Sequence, residues 1–264
     1  DLARTVHEAF YVARSGRPGP VVIDLPKDIL INPAPYAEPA DTHKNYRPRT
    51  EPNLDRIDEA VRILKAAKRP VIYAGGGVIN AGPEASAMLT EFTRMTGFPI
   101  TNTLMGLGAY PANDPQFLGM LGMHGTYEAN LAMHGCDAML NVGARFDDRV
   151  IGNPQHFFTE PRTIIHVDVD PSSISKRVKV DVPIVGSVKP VLQEMLRQLQ
   201  ATKDKPDAAS LKAWWKQVDQ WRGRECLKYA QNGKIIKPQF VIEKLHELTK
   251  GDAFITSDVG QHQM

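Results

Sequence analysis

The residues best suited to chemistry stand where apolar runs stop. Gly75, Gly76 and Gly77 end the run in KRPVIYAGGGVIN, Thr103, Leu104 and Met105 follow FPITN, and Gly143, Ala144 and Arg145 follow AMLNV. Asp168 to Asp170 close TIIHVDV, and Gly186 and Ser187 end VPIVG. Glycine has no Cβ and tolerates φ > 0, so backbone N–H groups at such positions can approach a ligand closely. Arg145 offers a cation for phosphate and Asp168 an acceptor for a ribose hydroxyl, a combination that points to a nucleotide. Two plainer readings stay open: three glycines after a strand also make a tight turn, and Asp168 also serves as a loop cap. The usual dinucleotide fingerprint is absent, since the sixth position counted from Gly75 is Asn80 and residues 95 to 97 are Met-Thr-Gly.

Positioning these residues requires buried parallel strands. PVIYA (70–74), FPITN (98–102), AMLNV (138–142), TIIHVDV (163–169) and VPIVG (182–186) are continuous apolar runs, and most connections between them are long enough for helices. Such alternation predicts an α/β fold with a doubly wound parallel sheet, whose ligands sit at the carboxyl ends of the strands. Pro83 suits a first helical turn, and Ala85, Met88, Leu89, Phe92 and Met95 follow at helical spacing. Another helix runs from Val188 through Val191, Leu192, Met195 and Leu199. Upstream, an amphipathic helix carrying Leu2, Val6, Phe10 and Ala13 precedes VVIDL (21–25), which reads as one more buried parallel strand. Pro33, Pro35, Pro39, Pro48 and Pro52 mark a linker over 33–53, so a domain begins near residue 54 and runs to about 203. Leu211, Trp214, Val218 and Trp221 predict an outlying helix within a second linker region, 204–236. From Pro238 a further helix leads into the strand-like AFITSD.

Composition narrows the class. In 264 residues, 32 basic and 30 acidic side chains are mixed along the chain to a net charge of +2, which leaves no basic face for nucleic acid. No run of eighteen apolar residues suggests a membrane span, and there is no signal-like segment. Cys136 and Cys226 lack zinc or redox spacing, which fits a reduced, cytoplasmic setting.

Taken together, GRPGPVVIDLPKDI (16–29), AGGGV (74–78), TLMGLGAYP (103–111), GMLGMHGTYEAN (119–130), NVGARFDDRV (141–150), HVDVD (166–170) and VGQHQM (259–264) resemble the large catalytic subunits of the acetohydroxyacid (acetolactate) synthase family. The match runs in order over nearly the whole chain. That resemblance implies three α/β domains with a DHS-like, FAD-binding centre. It assigns 1–32 to the end of a pyrimidine-binding domain, 54–203 to the central domain and 237–264 to the start of a diphosphate-binding domain. Flavin contacts carried over from the family fall on Arg17, Gly75, Gly76, Gly77, Thr103, Leu104, Met105, Gly122, Met123 and His124, and on Gly143, Arg145, Asp148 and Val150. They continue through Asp168, Val169, Gly186, Ser187 and Val188, with Ser187 standing where an aspartate is common. Val259, Gly260, Gln261 and His262 match thiamine diphosphate contacts, while Lys27 and Arg149 match a substrate and inhibitor channel.

The implied reaction joins a unit derived from pyruvate, with loss of CO2, to a second 2-keto acid in branched-chain amino acid biosynthesis. It uses thiamine diphosphate and Mg2+, with FAD largely structural. The family's catalytic glutamate is expected upstream of Asp1 and its magnesium motif downstream of Met264, so this segment is expected to hold no catalytic or metal residue and to be inactive alone. A homodimer or tetramer and a small regulatory subunit are the implied partners. Two other readings compete: a different thiamine diphosphate enzyme, of glyoxylate carboligase or pyruvate oxidase type, and a non-catalytic nucleotide-binding module.

Overall fold

Strands too apolar to face water pair edge to edge into one parallel sheet. The structure is a computed structural model and describes residues 2–40, 46–157, 161–202 and 206–260. Helices α1 (Leu2–Arg14), α2 (Lys27–Ile31) and α3 (Leu54–Ala66) lead into β1 (Pro70–Ala74), α4 (Gly76–Asn80), α5 (Pro83–Thr96), β2 (Ile100–Asn102) and β3 (Phe117–Met120). The chain continues through α6 (Tyr127–Gly135), β4 (Ala138–Val142), α7 (Asp148–Ile151), α8 (Pro154–Phe157), β5 (Thr163–Asp168) and β6 (Val182–Val185). It ends in α9 (Val188–Ala201), α10 (Ala208–Arg222) and α11 (Pro238–Thr249).

The sheet has the order β3-β2-β1-β4-β5-β6, and every pair is parallel. From β1 the chain steps outward to β2 and β3, and from β4 it steps the other way to β5 and β6. The order therefore reverses between β1 and β4, where the connections leave toward opposite sides and open a crevice at the carboxyl ends.

Alternation along each strand separates two cores. Ile72, Ala74, Ile100, Leu140, Val142, Ile165, Val167, Val182 and Ile184 pack with α3, α5 and α9. Val71, Tyr73, Met139 and Ile164 face the other way, among side chains of α6 and α10. Caps define the helix starts: the Asn53 side chain accepts from the Asp55 N–H, Thr126 from Ala129, and Asp207 from Ala209 and Ser210.

Four expectations change. The strand β3 had no place among the predicted runs, because an edge strand with only Leu118 fully buried and a glycine at 119 carries little apolar signal. VVIDL forms no strand: it has no ladder partner among the described residues, and Val22 is 92% exposed. AFITSD is likewise unpaired and exposed, with Phe254 in the open. The fourth is the helix expected to be outlying. In α10, Trp214 and Val218 are buried against the sheet, the Trp214 Nε1–H donates to the Pro70 carbonyl at 3.0 Å, and the Trp221 ring meets Trp214 edge-on at 5.5 Å.

If α10 is integral to the sheet's core, Trp214→Ala should lower unfolding stability by ~3–5 kcal/mol in a urea titration, the range for deleting a buried indole. A loss under ~1 kcal/mol would mean the helix is a detachable linker after all.

Candidate functional site

Backbone contacts between the loops after β1 and β4 set the floor of the crevice. The Gly75 N–H donates to the Val142 carbonyl at 2.9 Å, Gly77 to Gly143 at 3.0 Å, and Gly143 to Val167 at 2.8 Å, so the ladder continues past the strand ends. A Cβ on Gly75 would stand 2.7 Å from Ala144 Cα, and one on Gly77 would stand 2.7 Å from Gly143 Cα. The glycines were expected to supply positive φ and free N–H donors. Instead Gly75 is extended (φ −121°, ψ −174°), Gly76 and Gly77 open α4, and the donors of Gly75 and Gly77 are already used. What the sequence encodes there is close backbone crossing.

Beyond β4 the chain turns on an anchored ring. Phe146 adopts φ +50°, unusual for a bulky residue, and buries its ring against Tyr73 and His166, each 5.5 Å away by centroid. With that ring inside, Arg145 and Asp147 remain exposed on either side and pair at 2.7 Å. The Asp147 carboxyl is held below the usual carboxylate range by hydrogen bonding from Asp148, with Arg145 and Arg177 adding favourable charge.

The resulting cleft encloses about 620 Å³, within the ~300–1,000 Å³ range of small-molecule sites. One wall is the N-terminal segment, with Arg14, Gly16, Arg17 and Pro18. Three contacts hold that segment and the following linker against the strand ends: Arg17 meets Asp170 at 3.3 Å, the Ser187 N–H donates to Thr50 at 2.9 Å, and Pro52 packs on Gly186. Burial works to raise the Asp170 pKa, but hydrogen bonds from Ser172, Arg17 and Ser173 outweigh it and hold the carboxyl below its ordinary range. Asp168 is buried; Oδ1 accepts the Asp170 N–H at 2.9 Å and Oδ2 stands 3.6 Å from His166 Nε2. One carboxylate oxygen therefore caps the loop, while the side chain still lines the cleft. A 3-10 turn at Leu104–Gly106, capped by Thr103, lays exposed Leu104 and Met105 (75% exposed) along another side as an apolar ledge.

Most expected flavin positions converge here. Arg17, Gly76, Gly77, Thr103, Leu104, Met105, Gly143, Arg145, Val150, Asp168, Val169, Ser187 and Val188 line the cleft. Gly75 and Gly186 lie behind the wall as packing positions, and Asp148 starts α7 just off the lining. Gly122 and Met123 brace the wall from outside, with Gly122 close to the backbone of Arg149 and Val150 and the Met123 N–H donating to the Arg149 carbonyl at 2.8 Å, whereas His124 is exposed and is not among the lining residues. Arg149, expected in a substrate channel, lines this cleft, whereas Lys27 is exposed at the start of α2 and is not part of it. Val259 and Gly260 are not among its residues either, and Gln261 and His262 lie outside the described residues.

Ala144, singled out at the end of its strand, also lines the cleft, and Arg14, Tyr73, Ile79, Asn80 and Asp147 line it without having been foreseen. Asp147 was legible as the cap before α7; Tyr73 gave no signal beyond an apolar strand. Arg14, Arg17, Arg145 and Arg149 line the cleft with Asp147 and Asp168, and three of these arginines pair with Asp170, Asp147 and Asp148; the lining itself carries more positive than negative charge, which suits an anionic ligand. Among the described residues no His, Cys, Asp and Glu side chains cluster as metal ligands, and no helix is long and apolar enough to cross a membrane.

The family model described as "Thiamine pyrophosphate enzyme, central domain" matches residues 57–195, and the chain belongs to that family. It is 50% identical over 268 residues to the acetolactate synthase isozyme 3 large subunit of Escherichia coli, covering 100% of this chain and 46% of that protein. It is 46% identical over 270 residues to the acetolactate synthase large subunit of Haemophilus influenzae (100% and 46%) and 41% identical over 266 to the acetolactate synthase of Mycobacterium bovis (100% and 42%). The chain thus spans about half the length of the curated relatives it matches.

Two outcomes follow from the geometry. Gly75→Ala should lose ~1–3 kcal/mol of stability through overpacking against backbone, whereas Gly76→Ala, which meets Met105 Cβ only at 3.2 Å, should lose less. Thermal unfolding of the two variants gives the order, and equal losses would contradict the crossing. The second concerns Arg17. Because the folded Asp170 pKa is lowered, the pair's contribution is present above the ordinary aspartate pKa of ~3.9 and disappears as pH falls through the folded value. Arg17→Ala should therefore cost no more than ~1 kcal/mol at neutral pH, as for a partly exposed pair, and match the unmodified protein at low pH. A deficit of constant size down to pH 2 in urea titrations would rule this out.

Proposed function

We propose that this chain is the flavin-holding part of an acetolactate synthase large subunit, which condenses pyruvate with pyruvate or 2-ketobutyrate, with loss of CO2, in branched-chain amino acid biosynthesis. The observation that carries the reading is the cationic cleft at the β1/β4 reversal, considered with 40–50% identity to relatives of that name. The residues present fit FAD. Arg17 and Arg145 suit its pyrophosphate, Asp168 a ribose hydroxyl, and the ledge of Leu104 and Met105 an aromatic ring system. In this reading FAD supplies structure and no net redox change, and the chain's own residues orient it and exclude water. Thiamine diphosphate, once bound, would supply the electron sink for decarboxylation, and Mg2+ would accompany it. Val259, Gly260, Gln261 and His262 would contribute contacts to that cofactor, and Lys27 would border the substrate channel.

The domain limits in this reading are 1–32, 33–53, 54–203, 204–236 and 237–264, with α10 attached to the central unit by its buried tryptophan. A cytoplasmic homodimer or tetramer completes the proposal. The relatives' designation as large subunits supports a smaller regulatory companion.

Flavin absorbance of the purified complete protein after removal of free ligand, together with its thermal unfolding with and without FAD, tests the reading. At a hundredfold excess over the dissociation constant, FAD should add ~2.7 kcal/mol of stability. Arg145→Ala should reduce that gain, and acetolactate should form from pyruvate once thiamine diphosphate and Mg2+ are added. Flavin uptake without acetolactate would move the assignment to a glyoxylate carboligase or pyruvate oxidase type; no uptake would remove the flavin reading.

A further inference from the structure

Tyr73 carries a buried hydroxyl that nothing among the described residues satisfies. Its side chain is fully buried on β1 yet lines the cleft, and among the described residues its Oη has no hydrogen-bond partner. Native proteins rarely leave such a group unpaired.

Most polar neighbours are already engaged, and the exception among the described residues is buried His166, whose two ring nitrogens have no hydrogen-bond partner. In register with Tyr73 stand Thr101 on β2 and Asn141 on β4, and β4 in turn aligns Asn141 with His166 on β5. Thr101 donates its hydroxyl to the Gly119 carbonyl at 2.8 Å. Asn141 is engaged at both ends by Ala144, at 2.7 and 3.0 Å. The Phe146 ring touches both Tyr73 and His166 and stands as an apolar neighbour to each. Arg145 and Asp147, the charges nearest the phenol's end of the cleft, pair with each other at 2.7 Å. Burial also pushes the phenol's pKa up, so it stays a neutral donor at any physiological pH. Apart from the His166 ring, the open space next to Tyr73 is the cleft that this residue lines.

We propose that the Tyr73 hydroxyl is a further ligand-binding group of this cleft, hydrogen-bonding to an uncharged polar atom of the bound nucleotide such as a ring carbonyl, ring nitrogen or sugar hydroxyl. An uncharged partner follows because the phenol itself carries no charge, while the arginines lining the cleft suit the ligand's phosphates. The inference rests on the nucleotide reading of the cleft but assigns a residue that neither the strand-end pattern nor the family resemblance had singled out.

Tyr73→Phe tests it, because the ring and its contact with Phe146 remain and one oxygen is removed. In the complete protein stripped of nucleotide, FAD and ADP are titrated by calorimetry into both forms, and ligand-free thermal unfolding is measured alongside. The expected result is about a tenfold loss of FAD affinity, the effect of one hydrogen bond, with an unchanged or higher ligand-free Tm, since no internal bond is lost. Equal affinities in both forms would overturn the proposal. So would a ligand-free Tm several degrees lower, which would reveal an internal partner for the hydroxyl. If the unmodified protein binds ADP but not FAD, the flavin reading fails, and a weaker ADP affinity of Tyr73→Phe still upholds the assignment. Binding of neither ligand overturns both.

Discussion

The crossing of two backbones at the centre of the sheet is the constraint on which the site depends. Gly75 and Gly77 lie so close to Gly143 and Ala144 that neither has room for a methyl group, and their N–H groups prolong the ladder from β1 to β4 while Gly143 prolongs it to β5. That contact fixes the heights of the two loops relative to each other. With the loops fixed, Phe146 can fold back into the core despite its left-handed backbone, and Arg145, Asp147 and Arg149 are delivered to one rim. A glycine requirement here is therefore architectural before it is chemical. Intolerance of alanine at Gly75 or Gly77 cannot distinguish a nucleotide site from a plain scaffold, although at the level of sequence it looks as if it should.

The two walls of the cleft are held with unequal strength. The strand-end wall is continuous with two buried cores, whereas the contacts of the N-terminal wall among the described residues include one partly exposed ion pair, a backbone hydrogen bond and a proline packed on a glycine. Partly exposed pairs contribute little to stability. A ligand gripped by arginines of both walls, Arg17 on one and Arg145 on the other, adds a connection that the protein alone makes only weakly. That is the physical sense in which the proposed flavin would be structural.

Away from the sheet, apolar side chains face outward. Phe10 on α1, Ile29 to Ile31 on α2, and Val241, Ile242, Leu245 and Leu248 on α11 are exposed. Large exposed apolar patches mark contact surfaces, and their helical spacing on α1 and α11 shows amphipathic faces whose apolar sides meet no core among the described residues. This agrees with the proposal that both segments belong to α/β domains of a larger assembly.

The amino-acid sequence alone determined the central architecture. Five of the six strands, the helices beginning at Pro83 and Val188, and the gathering of small and charged residues at the strand ends that line the cleft all follow from local signals, because a strand buried on both faces must be continuously apolar. Local signals failed where pairing or packing partners decide the outcome. VVIDL has the composition of a buried strand but no neighbour to complete its ladder, and edge strand β3 has a neighbour without the composition. The α10 stripe was legible, but its destination, a sheet surface beneath Pro70, was not. Only the tertiary structure exchanged the expected role of the glycines, from ligand donors to a backbone crossing, and brought Tyr73 to the cleft. Both depend on which atoms of distant segments lie within 3–4 Å, and no period or composition along one chain encodes that distance.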